Sequence, residues 1–315
     1  MIPRRALLAA VLATPARAEA AWRIVTEYPA TAMPGEGIAT FAAAAAGALS
    51  IVPSYDAPGG LRSAEMVAAV AAGQPEAADA FTGALAAQAA VYQLSALPFL
   101  TASFGDAARL LQAARPLYAA ALAGQGVTLL YATPWPLTGL WSRVPIPDSA
   151  ALRTLRIRTY DGAGTAVLRA AGADAVQLSF ADALPRLRAG ALDAVLSSGD
   201  GGAGARLWDL LPVFTPLEYA CPLSLAFCNT AALTALRPAQ QNAVREAAVQ
   251  TEARQFVAIR TRTDENTRRL AANGVTIAPA AGLRAALVPH AGPVIAEWAT
   301  RAGPDAAAAL RLYRG

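Results

Sequence analysis

The chain has 315 residues, 55% of them hydrophobic and 15% charged, with 26 basic residues, all arginine, against 22 acidic ones, and with two cysteines and one histidine. The absence of lysine excludes Schiff-base and P-loop chemistry, and one His with two separated Cys makes no zinc site. Three of the arginines (Arg4, Arg5, Arg17) fall in an N-terminal leader, so the remainder carries 23 basic against 22 acidic residues, a net charge of +1 that gives a nucleic-acid partner no support. The leader itself, "MIPRRALLAAVLATPARA", has a basic start, an apolar run from Ala6 to Leu12 and a small-x-small cleavage site, Ala16-Arg17-Ala18. It predicts a secretory signal over 1–18, too short to span a bilayer, and no later segment reaches eighteen uninterrupted apolar residues. The expectation is a soluble, exported, periplasmic protein, with the Sec and twin-arginine routes both open.

Strands and helices then alternate. "WRIVTEYP" reads as a strand and turn, "GIATFAAAAAGALS" as a helix, "LSIVPSYD" as a strand and "SAEMVAAVAAG" as a helix, a βαβα order that favours a parallel sheet covered on both faces. "VTLLYATPW", "LRTLRIRTY", "AVQLSF" and "LDAVLSS" follow as strands, with helices in "AGTAVLRAAG" and "FADALPRLRAG". "LSSGDGGAG" (196–204) spells G-x-G-x-x-G between a strand and the helix-like "ARLWDLL", with Glu218 near the spacing of a ribose-binding acid, which opens a dinucleotide reading. In "CPLSLAFC", Cys221 and Cys228 lie seven residues apart, over about 20 Å if extended, so they read as buried free thiols. From Pro238 to about Asn273 the pattern opens on proline, closes on glycine and contains no breaker, predicting one long helix. So long a chain exceeds one core, and two α/β lobes are expected.

The stretch "LRTLRIRTYDGAGTAVLRAAGADAVQLSFADALPRLRAGALDAVLSS", with "LPFL" at 97–100, Pro145-Ile146 and the helix that opens after "LTALRPAQQ", resembles the DctP-type periplasmic solute-binding proteins of TRAP transporters. The resemblance covers nearly the whole chain after the leader. It implies a two-lobed periplasmic binding protein fold with crossing strands and a long spanning C-terminal helix. The implied lobes are 19–135 with 226–262, and 136–225 with 263–315. It implies no cofactor and no metal, a small carboxylate as ligand, TRAP permease subunits as partners, and a monomer. It also turns the glycine stretch into a loop of the second lobe at the cleft; Asp200 inside it would repel a pyrophosphate.

By the same resemblance, Arg158 in "LRIR" matches the arginine that clamps a ligand carboxylate, a task suited to the planar guanidinium fork. Ser197 falls where the family has an asparagine, so its hydroxyl or that of Ser198 replaces an amide contact; Asp193 matches a turn residue. The family's second arginine is missing from "YATPWPLTGLWSRVPI", where Trp135 and Trp141 stand instead. These tryptophans read either as an aromatic subsite wall or as hinge and core packing. Tyr28, Phe81, Tyr160 and Tyr219 are further cleft candidates at predicted strand ends, whereas Phe180 reads as core. One arginine and an aromatic wall predict an aromatic or otherwise hydrophobic monocarboxylate. The alternative is a secreted α/β enzyme on a similar scaffold using Asp161, Asp193 or Asp200 as acid or base.

Overall fold

The computed structural model describes residues 21–314; the leader expected over 1–18 lies outside the described residues. Among the described residues eleven strands form two sheets: β1 (Ala21–Thr26), β2 (Ser50–Ser54), β3 (Ala77–Phe81), β4 (Val127–Pro134), β5 (Thr138–Ser142), β6 (Arg156–Thr159), β7 (Asp174–Gln177), β8 (Ala194–Ser198), β9 (Val213–Thr215), β10 (Leu223–Asn229) and β11 (Thr276–Ile277). The first sheet has the order β2-β1-β3-β10-β4 and the second β11-β9-β5-β8-β6-β7. Each is mostly parallel where a helix returns the chain, as in β1 with β2 and β3 and in β6 with β7 and β8. The exceptions are the strands that change lobes: β10 runs antiparallel to β3 and β4, and β5 antiparallel to β8 and β9.

Helices cover both faces of each sheet, so central strands such as β3, β8 and β10 are buried along their whole length. That is why "AVLSS" and "LSLAFCN" show apolar runs rather than alternation. Two hydrophobic cores flank each sheet. The long helix Pro238–Ala272 spans the lobes. Its buried residues Val244, Ala248, Thr251, Gln255, Ile259, Asn266 and Leu270 recur at intervals of three, four or seven, a stripe down one face. Val244, Ala247 and Ala248 enter the first lobe's core and Leu270 the second's.

The chain crosses between the sheets from β4 to β5 and from β9 to β10, and the two crossings run side by side. Trp135 N donates to Pro222 O at 2.9 Å, Thr138 N to Ala220 O at 2.8 Å and Tyr219 N to Thr138 O at 3.0 Å. This ladder is the hinge, and the cleft opens beside it.

Four expectations need correction. The glycine stretch is itself a helix, Gly199–Gly204, capped by Ser198 Oγ accepting from Gly201 N at 3.0 Å. "ARLWDLL" contributes only a single turn at Leu207–Asp209. Strand β10 belongs wholly to the first sheet, so the return to that lobe starts at Leu223 rather than 226. Finally, the closing helix Ala291–Arg314 was expected in the second lobe, but it buries Ile295, Trp298 and Leu310 against Leu110 and Tyr118 in the first. The short helix Ala281–Leu287 before it packs in the second lobe through Leu283 and Leu287.

Candidate functional site

A cleft of about 420 Å³ lies between the lobes, lined from the first by Glu27, Tyr28, Arg62, Phe81 and Ala84, from the hinge by Trp135, Thr138 and Pro222, and from the second by Arg158, Tyr160, Gln177, Leu178, Phe180, Ser197 and Ser198. These residues meet because parallel strands present their C-terminal ends to one side. Glu27 and Tyr28 follow β1, Phe81 ends β3, Tyr160 follows β6, and Ser197 and Ser198 end β8. Ligands collect at that edge of open α/β sheets.

Arg158 is the centre of the cleft's electrostatics. It is 4% exposed. Its Nε donates to Leu178 O at 2.8 Å and its Nη1 to Leu196 O at 3.2 Å, while its guanidinium lies over the Phe180 ring at 4.5 Å. Five N–H donors radiate from a guanidinium, and these bonds use two. No carboxylate among the described residues lies within ion-pair distance of it. Burial pushes its pKa down to about 10, which still leaves it charged at neutral pH. A buried ion without a counter-charge costs several kcal/mol, and a cation–π contact returns about 0.5–2 kcal/mol. The difference favours an anion that enters the cleft and takes the free edge of the fork.

The rest of the wall is aromatic. Tyr28 meets Trp135 edge-on at 4.7 Å, and Phe81 meets Tyr160 at 5.2 Å and Trp135 at 6.4 Å, also edge-on. Trp135 is locked by its Nε1 donating to Ser224 Oγ at 3.0 Å. The Tyr160 hydroxyl lies 3.4 Å from Thr138 Oγ1. Together with Ala32 and Ala84, these rings form a small apolar cluster of their own between the two lobes. Ser197 and Ser198 are nearly buried opposite it, and the Ser198 hydroxyl is already committed to its helix cap.

Two expected cleft residues lie elsewhere. Trp141 is fully buried in the second lobe, tilted against Phe214 at 5.1 Å, with Nε1 donating to Ser198 O at 3.2 Å. Strand register explains it: Thr138 pairs with Ser198 at the cleft end, and Trp141 pairs with Val195. Three residues place it roughly 10 Å deeper and on the other face. Gly202 makes room for it, since a Cβ there would fall 2.2 Å from the indole. Tyr219 is buried beneath the hinge, edge-on to Phe99 at 5.2 Å, and does not line the cleft. Phe180 moves the opposite way, from expected core residue to the platform under Arg158.

The three aspartates of the enzyme alternative hold the fold together. Asp161 caps its helix by accepting from Gly164 N at 2.8 Å; Asp193 accepts from Arg156 at both nitrogens of its fork; Asp200 accepts from Met33 N at 2.9 Å and from Asn266 Nδ2 at 3.2 Å. None of the three lines the cleft.

Sequence reasoning missed Glu27, Thr138, Gln177 and the mouth of the cleft. There Arg62 of the first lobe donates to Asp182 Oδ2 at 2.7 Å and to Ser179 Oγ at 3.0 Å of the second. Ser179 opens the helix Phe180–Arg188, so the cap box "SFAD" was the available signal. A partner 120 positions away was not readable from one sequence.

Among solved structures the chain is similar to DctP7 of Bordetella pertussis, an extracytoplasmic solute receptor binding pyroglutamic acid. The match has 27% identity and a TM-score of 0.89, over 94% of this chain and 100% of that one. DctP6 of the same organism, also binding pyroglutamic acid, matches at 28% identity and a TM-score of 0.87, over 94% and 99%. A TRAP solute-binding protein from a marine metagenome, specific for pyroglutamate, matches at 25% and 0.87 with the same coverage. No curated protein sequence matches the chain. The model for bacterial extracellular solute-binding protein family 7 matches residues 54–301, most of the chain, and the protein belongs to that family, the DctP-type solute receptors of TRAP transporters.

Proposed function

We propose that this receptor captures a small monocarboxylate with a flat ring, holds the carboxylate on Arg158, and delivers it as a monomer to the permease subunits of a TRAP transporter after export and loss of the leader. The observation that carries the reading is the buried Arg158 fork, which has no carboxylate partner among the described residues and faces a wall of four aromatic rings. A second carboxylate would be buried without an equal partner, which is costly; this favours monocarboxylates over dicarboxylates. With Trp141 in the core, one tryptophan rather than two supports the apolar end, so a compact ring fits the argument better than an extended hydrophobic body. Pyroglutamate, the ligand of the three relatives described above, is such an acid and leads the candidates, followed by benzoate-like acids.

A thermal-shift screen of the exported chain tests the reading. A ligand at one hundred times its dissociation constant stabilises by about 2.7 kcal/mol. Ring-bearing monocarboxylates should raise the melting temperature most; a response to succinate or to uronates alone overturns the proposal.

A further inference from the structure

The cleft also carries a carboxylate on the lobe that faces Arg158. Glu27 follows β1 and lines the cleft alongside Tyr28. Its Oε2 accepts from Ser63 N at 2.9 Å. Ser63 is the first residue of the helix Ser63–Ala71, so the carboxylate sits where the helix end favours an anion. The neighbouring Tyr28 phenol is kept protonated, first by burial and then by the charge of Glu27. No basic side chain among the described residues reaches ion-pair distance of Glu27, and the nearby Arg62 is engaged by Asp182 and Ser179. Two oxygens offer about four acceptor positions, so the bond from Ser63 N leaves capacity on a side chain that lines the cleft. Arg158 feels the charge of Glu27 without forming an ion pair with it.

We infer that Glu27 is a specificity-determining residue that accepts a hydrogen bond from an N–H of the ligand, so that the preferred ligands are carboxylates carrying an N–H donor rather than purely hydrocarbon acids. The inference rests on the carboxylate-receptor reading above. An acid whose far end offers only lone pairs or C–H groups sets them against the half-buried Glu27 carboxylate. An N–H instead completes the acceptor while Arg158 takes the other end. A site built to accept a donor rejects the analogue that lacks it far more strongly than an apolar pocket rejects an extra methylene.

Two matched ligand pairs test this on the full chain by calorimetry: pyroglutamate against 5-oxotetrahydrofuran-2-carboxylate, and proline against tetrahydrofuran-2-carboxylate. The first pair differs at one ring position, neutral N–H against O; in the second the ring nitrogen of proline is a charged NH2+ against O, so that pair tests donor and charge together. The expected result is a preference for the nitrogen member of at least one pair by at least roughly tenfold to hundredfold, the size of one hydrogen bond to a charged group. That preference should shrink to within about threefold in Glu27→Gln, whose amide both accepts and donates and still offers an oxygen to Ser63 N. Equal binding within both pairs overturns the inference, as does a preference that survives Glu27→Gln. Binding of benzoate with no binding of either nitrogen acid also overturns it, while leaving the carboxylate reading intact. The wild-type comparison stands even if the variant misfolds. Failure of every carboxylate to bind would instead remove the receptor reading itself.

Discussion

Arg158 and Arg62 face the same cleft from opposite lobes, one at its floor and one at its mouth. Arg158 is almost wholly buried, bonded to two backbone carbonyls and stacked on Phe180, with no carboxylate beside it. Arg62 has a side chain 39% exposed and is paired directly with Asp182. The same charge is therefore worth very different amounts in the two places. At 4 Å an ion pair is worth about 1 kcal/mol in water and about 4 kcal/mol at the effective dielectric of a protein site, and long surface side chains lose entropy on pairing. The floor is suited to recognising a ligand, and the mouth to holding two lobes together in a contact that water can undo.

The largest expected effect tests the floor. Arg158→Ala should cost about 2–5 kcal/mol of ligand binding, because the ligand carboxylate is then buried without its partner. Arg158→Lys should recover only part of that, since a point charge cannot reproduce the fork. Calorimetry with both variants checks the comparison at its strong end; unchanged affinity in both would make the floor no different from the mouth.

Next in size is Phe180→Ala. The ring supports the guanidinium from beneath at 4.5 Å, and a desolvated cation–π contact is worth about 0.5–2 kcal/mol. Affinity should fall roughly threefold to thirtyfold, with Phe180→Tyr close to wild type. The result separates a platform that orients Arg158 from an aromatic residue that merely fills space.

How far this arrangement could be read beforehand varies with the kind of interaction. The position of Arg158 in the cleft was legible through resemblance, because "RIRT" and the helix after it match the family's pattern. The long helix was legible because its proline start and unbroken course are local facts. Trp135 and Trp141 looked alike from sequence; the strand register that sends one to the hinge and the other behind Gly202 depends on β8, more than fifty residues away. Strand β3, "AADAF", was missed because its alanines suit a helix equally well and only burial between β1 and β10 decides. Glu27 and Arg62 carry no local mark at all: their meaning comes from what does or does not stand opposite them.

Carboxylates of the second lobe repeat the contrast and give it a pH dependence. The Asp182 carboxyl is held below the usual range, first by the Ser179 hydroxyl and then by Arg62, so the mouth contact should persist through mildly acidic pH. Asp161 is pushed up to about 7 by burial, and Asp79 in the first lobe likewise. For these two the native state binds more protons than the unfolded chain between the ordinary carboxylate range and about pH 7. Their stability contribution is therefore full at low pH and lost as pH rises through about 7. The ligand-free receptor should melt a few degrees higher at pH 5.5 than at pH 8. Asp161→Asn keeps a residue type able to cap the helix and should flatten that slope; a melting temperature that climbs with pH over this interval would contradict the assignment.

The smallest effect belongs to the mouth. Arg62→Ala removes one bridge between the lobes without touching the floor, so equilibrium affinity should weaken only about twofold to fivefold, the range of an exposed ion pair of up to about 1 kcal/mol. The loss should fall on dissociation, because a closed cleft releases its ligand only after opening. It should also be salt-sensitive. Raising ionic strength from about 0.01 M to 1 M shortens the Debye length from roughly 30 Å to 3 Å, and the wild-type off-rate should rise towards that of Arg62→Ala. Binding of the carboxylate at Arg158 should respond less, since a buried pair is screened less. Stopped-flow dissociation at several salt concentrations, with Asp182→Asn as the reciprocal variant, measures both sides. If Arg62→Ala weakens binding as much as Arg158→Ala, the mouth arginine is itself a ligand contact and the division of labour between the two positions is wrong.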